Sequence, residues 1–157
     1  MIYDLRTRTG CINYVEQVVL VDVRKAFAQN GKLHSFGIVF ASRTQGQAHN
    51  MPHPHMLGAV GMEPRVLKRM MQKVVNQTAA VGCVYVRQAE FSVKHTEGVE
   101  YKVDAICVQL EHAAVGDLLW NAEIKGKRLE TFTEALSLEL SVLAVRPTTF
   151  MPERWMS

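Results

Sequence analysis

The segment QAHNMPHPHM places three histidines within seven residues, at His49, His53 and His55. These side chains are the best candidates for chemistry in the chain, because neutral imidazole nitrogens bind zinc at about 2.0–2.1 Å. Pro52 and Pro54 favour an extended backbone, in which His53 and His55 point to the same side. The spacing therefore allows a metal site that uses all three imidazoles, with an open coordination position for catalysis.

The same histidines also have a simpler interpretation, as exposed side chains of a polar loop that contact a partner. Neither an HExxH segment nor paired CxxC segments accompany them. The residues that would orient metal-bound imidazoles cannot be identified from the sequence, and no motif names a cofactor. Both interpretations stay open, and exposed or partner-binding histidines are favoured over a metal site.

A second candidate is a set of four cations at helical-neighbour spacing, Arg65, Lys68, Arg69 and Lys73. Side chains three and four residues apart lie side by side on a helix, so these four form one basic face that can meet phosphate groups. Solvated helix faces are commonly rich in lysine and arginine even without a ligand. Binding of an anionic ligand or a nucleic acid through this face is therefore an alternative hypothesis.

The sequence supplies no arrangement of nucleophile, base and orienting group, so the catalytic residues are unknown. Ser35 follows His34 directly, and neighbouring residues of a strand point to opposite faces. Glu90 and Asp104 are expected to face each other on the solvated side of a hairpin, where like charges cost a little stability. The absence of a recognisable constellation favours binding over catalysis.

The elements that would position these residues begin with a predicted short strand that starts at Ile2 and ends before Gly10. A helix over about 13–30 follows, with a capping box at Asn13 and Glu16 and a left-handed cap at Gly31. The β-branched run in Val18 to Val23 leaves a strand open as the alternative. The segment 32–42 predicts a strand, and 43–61 predicts a long loop that carries the three histidines.

The second half of the chain contains the clearest patterns. MEPRVLKRMMQKVVNQTAAVG predicts a helix over about 63–79 with Pro64 in its first turn. The segment 83–110 predicts a hairpin in which His95 faces Val99, so that odd-numbered residues pair with odd-numbered ones. Residues 117–124 alternate as a strand does. Residues 131–145 are ambiguous between helix and strand, with helix favoured, and from about 146 an irregular tail is expected with Trp155 as its anchor.

Composition places the chain among single globular domains. Hydrophobic residues make up 48% and charged residues 21% of 157 residues, which is near the average for folded domains. No apolar run is long enough for a bilayer span and the N-terminus has no signal-peptide pattern, so no membrane association and a cytoplasmic location are expected. Three cysteines without a CxxC pair predict buried thiols, and a net charge of +3 does not by itself imply nucleic acid.

The opening MIYDLRTRT resembles the first strand of NIPSNAP-type proteins. That resemblance implies a small α+β barrel that dimerises through its sheet. It covers nine residues, and the histidine segment and the 83–110 hairpin depart from the family's pattern. No site residue and no function are transferred from it.

Together these patterns predict one α+β domain over 1–157, with a mainly antiparallel sheet and two or three helices packed on one face. A strand, helix and strand at the start would fit a ferredoxin-like N-terminal half. The favoured function is a non-enzymatic binding or assembly protein, expected to be a homo-oligomer, that uses the 43–61 loop, the basic 63–79 helix or the 83–110 hairpin. The partner can be another protein or an anionic ligand. The alternatives are a metal-dependent enzyme and a nucleic-acid-binding accessory protein.

Overall fold

A computed structural model describes residues 3–44, 47–93, 101–145 and 149–151. The helical elements are α1 (Arg8–Tyr14), a π-helical turn (Val15–Val19), α2 (Leu20–Asn30), α3 (Pro64–Gln77) and a short 3-10 turn (Leu138–Leu140). The strands are β1 (Phe36–Thr44), β2 (Gln47–Leu57), β3 (Gly82–Ser92), β4 (Lys102–His112), β5 (Gly116–Lys125) and β6 (Arg128–Leu129). The α+β class and the antiparallel sheet predicted from the sequence are confirmed.

The strands form one six-stranded sheet in the order β2-β1-β3-β4-β5-β6, and the paired strands are antiparallel. The hairpin of β3 and β4 has the predicted register, because Phe91 pairs with Val103 and Glu90 pairs with Asp104. The turn predicted at 96–98 lies outside the described residues. At the other end of the order, β2 pairs on one side with β1 and forms an edge of the sheet.

One face of the sheet packs against α1, the π-helical turn and α2, which follow one another without a break. The helical side chains in this core are Cys11, Tyr14, Val15, Val19, Val23 and Phe27. Alternate residues of the central strands meet them, among them Phe40, Val86, Val108 and Trp120. The indole nitrogen of Trp120 donates a hydrogen bond to Glu16 on the π-helical turn at 3.2 Å, so this buried ring keeps its polar partner.

The predicted helix over 13–30 is confirmed at its C-terminal end, where Gly31 adopts the left-handed conformation with φ of 72°. Its start was predicted too late. The side chain of Thr7 accepts a hydrogen bond from the amide of Gly10 at 3.0 Å and caps α1. The predicted first strand is therefore wrong, because its second half forms the cap and first turn of α1. Glu16 contacts Trp120 and does not close the predicted capping box.

The other face of the sheet is covered by α3 and by the C-terminal segment. The predicted helix over 63–79 is confirmed, with Pro64 in its first turn and with Leu67, Met71 and Val75 buried against the sheet. The helix ends at Gln77 with Thr78 as its C-cap, and Ala79, which follows, has a positive φ of 48°.

The structure corrects three further predictions about architecture. The helices do not share one face, because α1 and α2 pack on one side of the sheet and α3 packs on the other. The ferredoxin-like half is not confirmed, since a helix and no described strand precedes β1. The helix favoured for 131–145 is wrong, because Leu136 pairs with Leu119 and Leu143 pairs with Val93 in isolated bridges. Backbone pairing with β5 and β3 therefore holds this segment extended.

All three cysteines are buried thiols that form no disulfide, as predicted. Burial, with a smaller contribution from Asp4, raises the pKa of Cys11 from 9.0 to about 11. Burial raises the pKa of Cys107 from 9.0 to about 12, against a smaller lowering by Arg87. Both thiols therefore stay protonated and weakly nucleophilic in the folded protein at neutral pH.

We expect the free energy of unfolding to fall as the pH rises above about 9. An acid whose pKa is raised by folding favours the folded state fully below its unfolded pKa, and this stabilisation is lost as the pH approaches the folded value. For Cys11, a pKa raised from 9.0 to about 11 corresponds to about 3 kcal/mol. Urea denaturation between pH 8 and about pH 10.5 measures the loss. Replacing Cys11 and Cys107 with alanine should flatten the profile, and an equally steep profile in that variant would contradict the assignment.

Candidate functional site

The segment predicted to be a histidine-rich loop is mostly an edge strand. Within β2, His53 pairs with Ala41 and His55 pairs with Val39. The two imidazoles are exposed, and two-residue spacing on a strand puts them on the same side, as the sequence predicted. The loop over 43–61 is therefore a wrong prediction for most of its length. His49 also lies in β2, but its side chain is outside the described part of the chain.

The prolines of β2 change the chemistry of this sheet edge. Phe40 pairs with Pro54, yet the carbonyl of Phe40 accepts a hydrogen bond from the amide of Val81 on the side of β3, at 3.1 Å. Polar backbone groups of a directly opposed, non-hydrogen-bonded pair point away from each other, so the backbone of Pro54 faces outward. Proline has no N–H, and this outward position therefore offers no donor to an incoming strand.

A pocket of about 470 Å³ lies between β2 and the segment that precedes α1. Its lining residues come from three places in the chain and are Tyr3, Leu5, Tyr14, Met51, Pro52, His53 and Pro54. The volume lies within the range of small-molecule sites, roughly 300–1,000 Å³. The pocket joins the sequence-predicted histidine segment to N-terminal residues that sequence reasoning assigned to a strand.

The N-terminal wall of this pocket is held by a buried histidine. Nε2 of His112 lies 2.8 Å from the carbonyl oxygen of Leu5, while Nδ1 accepts hydrogen bonds from the amides of Ala114 at 3.0 Å and Val115 at 3.2 Å. Because both amides are donors, we assign the proton of the neutral ring to Nε2, which donates to Leu5. His112 is only 1% exposed. The thiol of Cys11 donates to the same carbonyl at 3.4 Å.

Close backbone packing also helps to fix the segment that carries Leu5. A Cβ atom on Gly10 would lie 2.6 Å from the carbonyl carbon of Asp4, too close for any larger residue unless the backbone moves. Asp4 is also joined to Arg6 by an ion pair at 2.9 Å. The glycine therefore lets the segment before α1 fold back against the first turn of that helix, where Leu5 reaches the pocket.

Aromatic side chains form the inner end of the pocket. Tyr14 contacts Tyr3 and Phe40 edge to face, with ring centroids 5.6 Å and 5.8 Å apart. The hydroxyl of Tyr3 donates to the side-chain oxygen of Gln17 at 2.9 Å. Burial, with smaller contributions from Asp22 and Tyr3, raises the pKa of Tyr14 to about 12, so its phenol is neutral at physiological pH. The pocket therefore presents phenol rings and apolar groups, and His53 is among its lining residues.

The four cations predicted on the basic helix separate into two groups. Arg65, Arg69 and Lys73 are exposed and follow one another at four-residue spacing, which makes one stripe on α3. The guanidinium of Arg65 lies 3.7 Å from the carboxylate of Glu63. Lys68 is only partly exposed, and its ammonium lies 5.9 Å from the ring centre of Tyr85. The predicted basic face is thus an outer stripe plus one lysine that turns towards the sheet.

The hairpin of β3 and β4 contributes packing and does not form a chemical site in the described residues. Glu90 and Asp104 are opposed as predicted, and both are exposed. Lys102 lies 3.6 Å from Glu90 and offsets part of the repulsion between the two carboxylates. The odd-numbered side chains Phe91, Val93, Ala105 and Cys107 are buried in one cluster, which the predicted register required.

The metal-site hypothesis stays a prediction. The described side chains contain no group of three or more His, Cys, Asp or Glu that could hold a metal ion. The predicted trio of His49, His53 and His55 includes one side chain outside that description. Among the described helices, none is long and apolar enough to cross a membrane.

Sequence reasoning missed Tyr3, Leu5, Tyr14 and Met51 as pocket residues. Tyr3 and Met51 are nearly fifty positions apart along the chain, and no periodicity links them. The one local signal was the glycine at position 10, which marks a close backbone approach. A comparison with protein-family models, with curated proteins and with solved structures finds no match to this chain.

Proposed function

We propose that this chain is a non-enzymatic binding protein that takes a small, neutral, largely aromatic ligand in the pocket between β2 and the N-terminal segment. The observation that carries the proposal is the combined lining of that pocket, in which phenol rings, prolines, leucine and methionine surround about 470 Å³. Ligand sites of this size are mostly apolar, with a few polar groups that orient the ligand. The tyrosine hydroxyls would supply those groups.

The chemical groups that line the pocket support binding over catalysis. Acid–base and nucleophilic mechanisms need a reactive group together with a second group that activates or orients it. The imidazole of His53 alternates with Pro54 along β2 and so points away from the face that Phe40 and Tyr14 share, while burial raises the pKa of Tyr14 to about 12. A phenol with a raised pKa suits hydrogen bonding to a ligand better than proton transfer at neutral pH.

Binding of the neutral fluorescent probe N-phenyl-1-naphthylamine tests the proposal. We expect saturable binding with one site per chain, and an affinity about tenfold lower in the variant Met51→Trp, because the larger side chain occupies the pocket. Met56→Trp is the matched control. Met56 lies on the same strand, is 64% exposed and does not line the pocket, so its replacement should change the affinity by less than about twofold.

Two outcomes would contradict the proposal. One is the absence of saturable probe binding by the folded wild-type chain. The other is an equal loss of affinity in the variants at positions 51 and 56, which would place the probe elsewhere on the surface. Thermal unfolding of both variants should first establish that each is folded, since a destabilised chain binds apolar probes nonspecifically.

A second candidate function is nucleic-acid binding through the outer stripe of α3. The observation that favours it is the exposure of Arg65, Arg69 and Lys73 at one stripe, where successive cations can contact successive phosphates. Such binding would weaken steeply with salt, whereas occupation of the apolar pocket would not. The metal-dependent enzyme that uses His49, His53 and His55 has no comparable support and remains a hypothesis.

A further inference from the structure

A second pocket, which we call the polar pocket, has a volume of about 500 Å³ and lies beside β5. Val93 and Leu143 form an apolar wall of this pocket, and both belong to one buried cluster of the sheet. Polar side chains come from β5 and from the segment that follows β6. The lining therefore combines an apolar wall with hydrogen-bonding groups, as ligand sites commonly do.

The polar pocket and the apolar pocket lie on opposite faces of the sheet. Leu119 of β5 belongs to the same buried cluster as the apolar wall of the polar pocket. Trp120, the next residue, belongs to the core that lines the apolar pocket. Asn121 and Glu123 share the orientation of Leu119, because successive side chains of a strand alternate between its faces. The two pockets are therefore separate sites.

Asn121 presents an unused acceptor at the polar pocket. The residue is only 8% exposed, and its side-chain nitrogen donates to the hydroxyl of Ser141 at the long distance of 3.5 Å. Its backbone amide donates to the hydroxyl of Thr133 at 3.2 Å, and its carbonyl accepts from the amide of Thr133 at 2.9 Å. Within the described residues, no group donates to the side-chain oxygen of Asn121. Buried polar atoms are normally hydrogen-bonded, so this oxygen can take a donor from a molecule in the pocket.

The two carboxylates that line the polar pocket differ in their partners. Glu130 lies 3.9 Å from the ammonium of Lys125 and 3.5 Å from the guanidinium of Arg128. Glu123 is partly buried, and among the described side chains it forms no ion pair. The side chain of Lys125 is 63% exposed, so its charge is screened by water. The pocket therefore contains one carboxylate that a ligand cation can neutralise.

We propose that the polar pocket binds a primary aliphatic ammonium group, held by the side-chain oxygen of Asn121 and the carboxylate of Glu123. An ammonium carries three donors and no acceptor, and it therefore matches two neighbouring acceptors on one strand. A hydrogen bond to an ionised partner is roughly twice as strong as a neutral one. The aliphatic part of the ligand packs against Val93 and Leu143. This site is additional to the apolar pocket and takes a different class of ligand.

Titration of the isotope-labelled whole chain with n-pentylamine, followed by nuclear magnetic resonance, tests the proposal. The amine is protonated at neutral pH, as a lysine side chain is. We expect saturable shifts at the backbone amides of residues 121, 123 and 133. The affinity should be at least about tenfold higher than that for n-pentanol, which has the same chain length but no charge.

Two variants assign the binding to the named acceptors. Glu123→Gln keeps the shape of the side chain but removes its charge, so it should weaken pentylamine binding at least about tenfold. Asn121→Leu removes the buried acceptor and should weaken binding about fivefold, with thermal unfolding as the check that the chain is folded. Glu134→Gln is the matched control, because Glu134 is exposed and does not line the polar pocket. It should change the affinity by less than about twofold.

Three outcomes would overturn the proposal. The first is the absence of saturable shifts at residues 121 and 123 at tens of millimolar pentylamine. The second is an equal affinity for pentylamine and pentanol, which would show an apolar cavity without a role for charge. The third is an equal loss in Glu123→Gln and Glu134→Gln, which would show diffuse attraction to surface charge.

Discussion

The variant His112→Leu is expected to lose about 3 kcal/mol of unfolding free energy, because polar groups that the ring now satisfies would be left without a hydrogen bond. Leucine is of similar size but removes the acceptor for two amides, of Ala114 and Val115, and the partner of the Leu5 carbonyl. A buried polar group left without its hydrogen bond costs about 1–3 kcal/mol, and the two amides are only partly buried. Urea denaturation measures the difference directly.

A matched replacement tests whether the effect belongs to the buried position. His55→Leu makes the same chemical change at an exposed residue of β2, and it should alter the unfolding free energy by less than about 0.5 kcal/mol. A loss below about 1 kcal/mol in His112→Leu would contradict the proposed role of the ring. Because His112 holds the wall that contains Leu5, this variant should also weaken binding of N-phenyl-1-naphthylamine.

The variant Glu111→Leu is also expected to lose about 3 kcal/mol of unfolding free energy. The loss arises at the C-terminal segment, residues 149–151. One carboxylate oxygen of Glu111 accepts hydrogen bonds from the amides of Phe150 at 2.8 Å and Met151 at 2.9 Å, and all of these groups are buried. Leucine would leave both amides without an acceptor. The C-terminal segment would then separate from α3 and expose the side chain of Phe150.

Limited proteolysis together with urea denaturation distinguishes this effect from general destabilisation. We expect faster cleavage near the C-terminus in Glu111→Leu, while Glu111→Gln, which keeps one acceptor oxygen, should lose only about 1 kcal/mol. Glu90→Leu is the exposed control on the neighbouring strand and should unfold nearly as the wild type does. If Glu111→Leu is cleaved at the wild-type rate, Glu111 does not hold this segment.

The side chains of His112 and Glu111 are two polar anchors, because they join Leu5 and residues 150 and 151 to one strand. His112 and Glu111 are consecutive residues of β4, and their side chains point to opposite faces of the sheet. His112 holds the segment before α1, on the face with the apolar pocket. Glu111 holds residues 150 and 151, on the face with Tyr85. Neither anchor was predicted, because a single His or Glu at the end of a strand has no distinguishing pattern.

Local patterns determined those parts of the fold in which neighbours along the chain also meet in space. The register of β3 and β4 followed from alternation and turn chemistry, so Phe91 and Val103 were paired correctly. The helix over Pro64–Gln77 followed from a 3.6-residue apolar stripe, and the shared orientation of His53 and His55 followed from an extended backbone. The positions of Arg65, Arg69 and Lys73 on an exposed stripe followed from the same helical periodicity.

Tertiary structure alone decided the parts whose partners are distant in sequence. Residues 47–57 lack a strand pattern because of their prolines, yet hydrogen bonding to β1 makes them an edge strand. Leu136 is extended because Leu119 offers backbone partners. Tyr3, Tyr14 and Met51 form one pocket only when the N-terminal segment folds back over Gly10. Such contacts depend on long-range burial and hydrogen bonding, which local propensity does not encode.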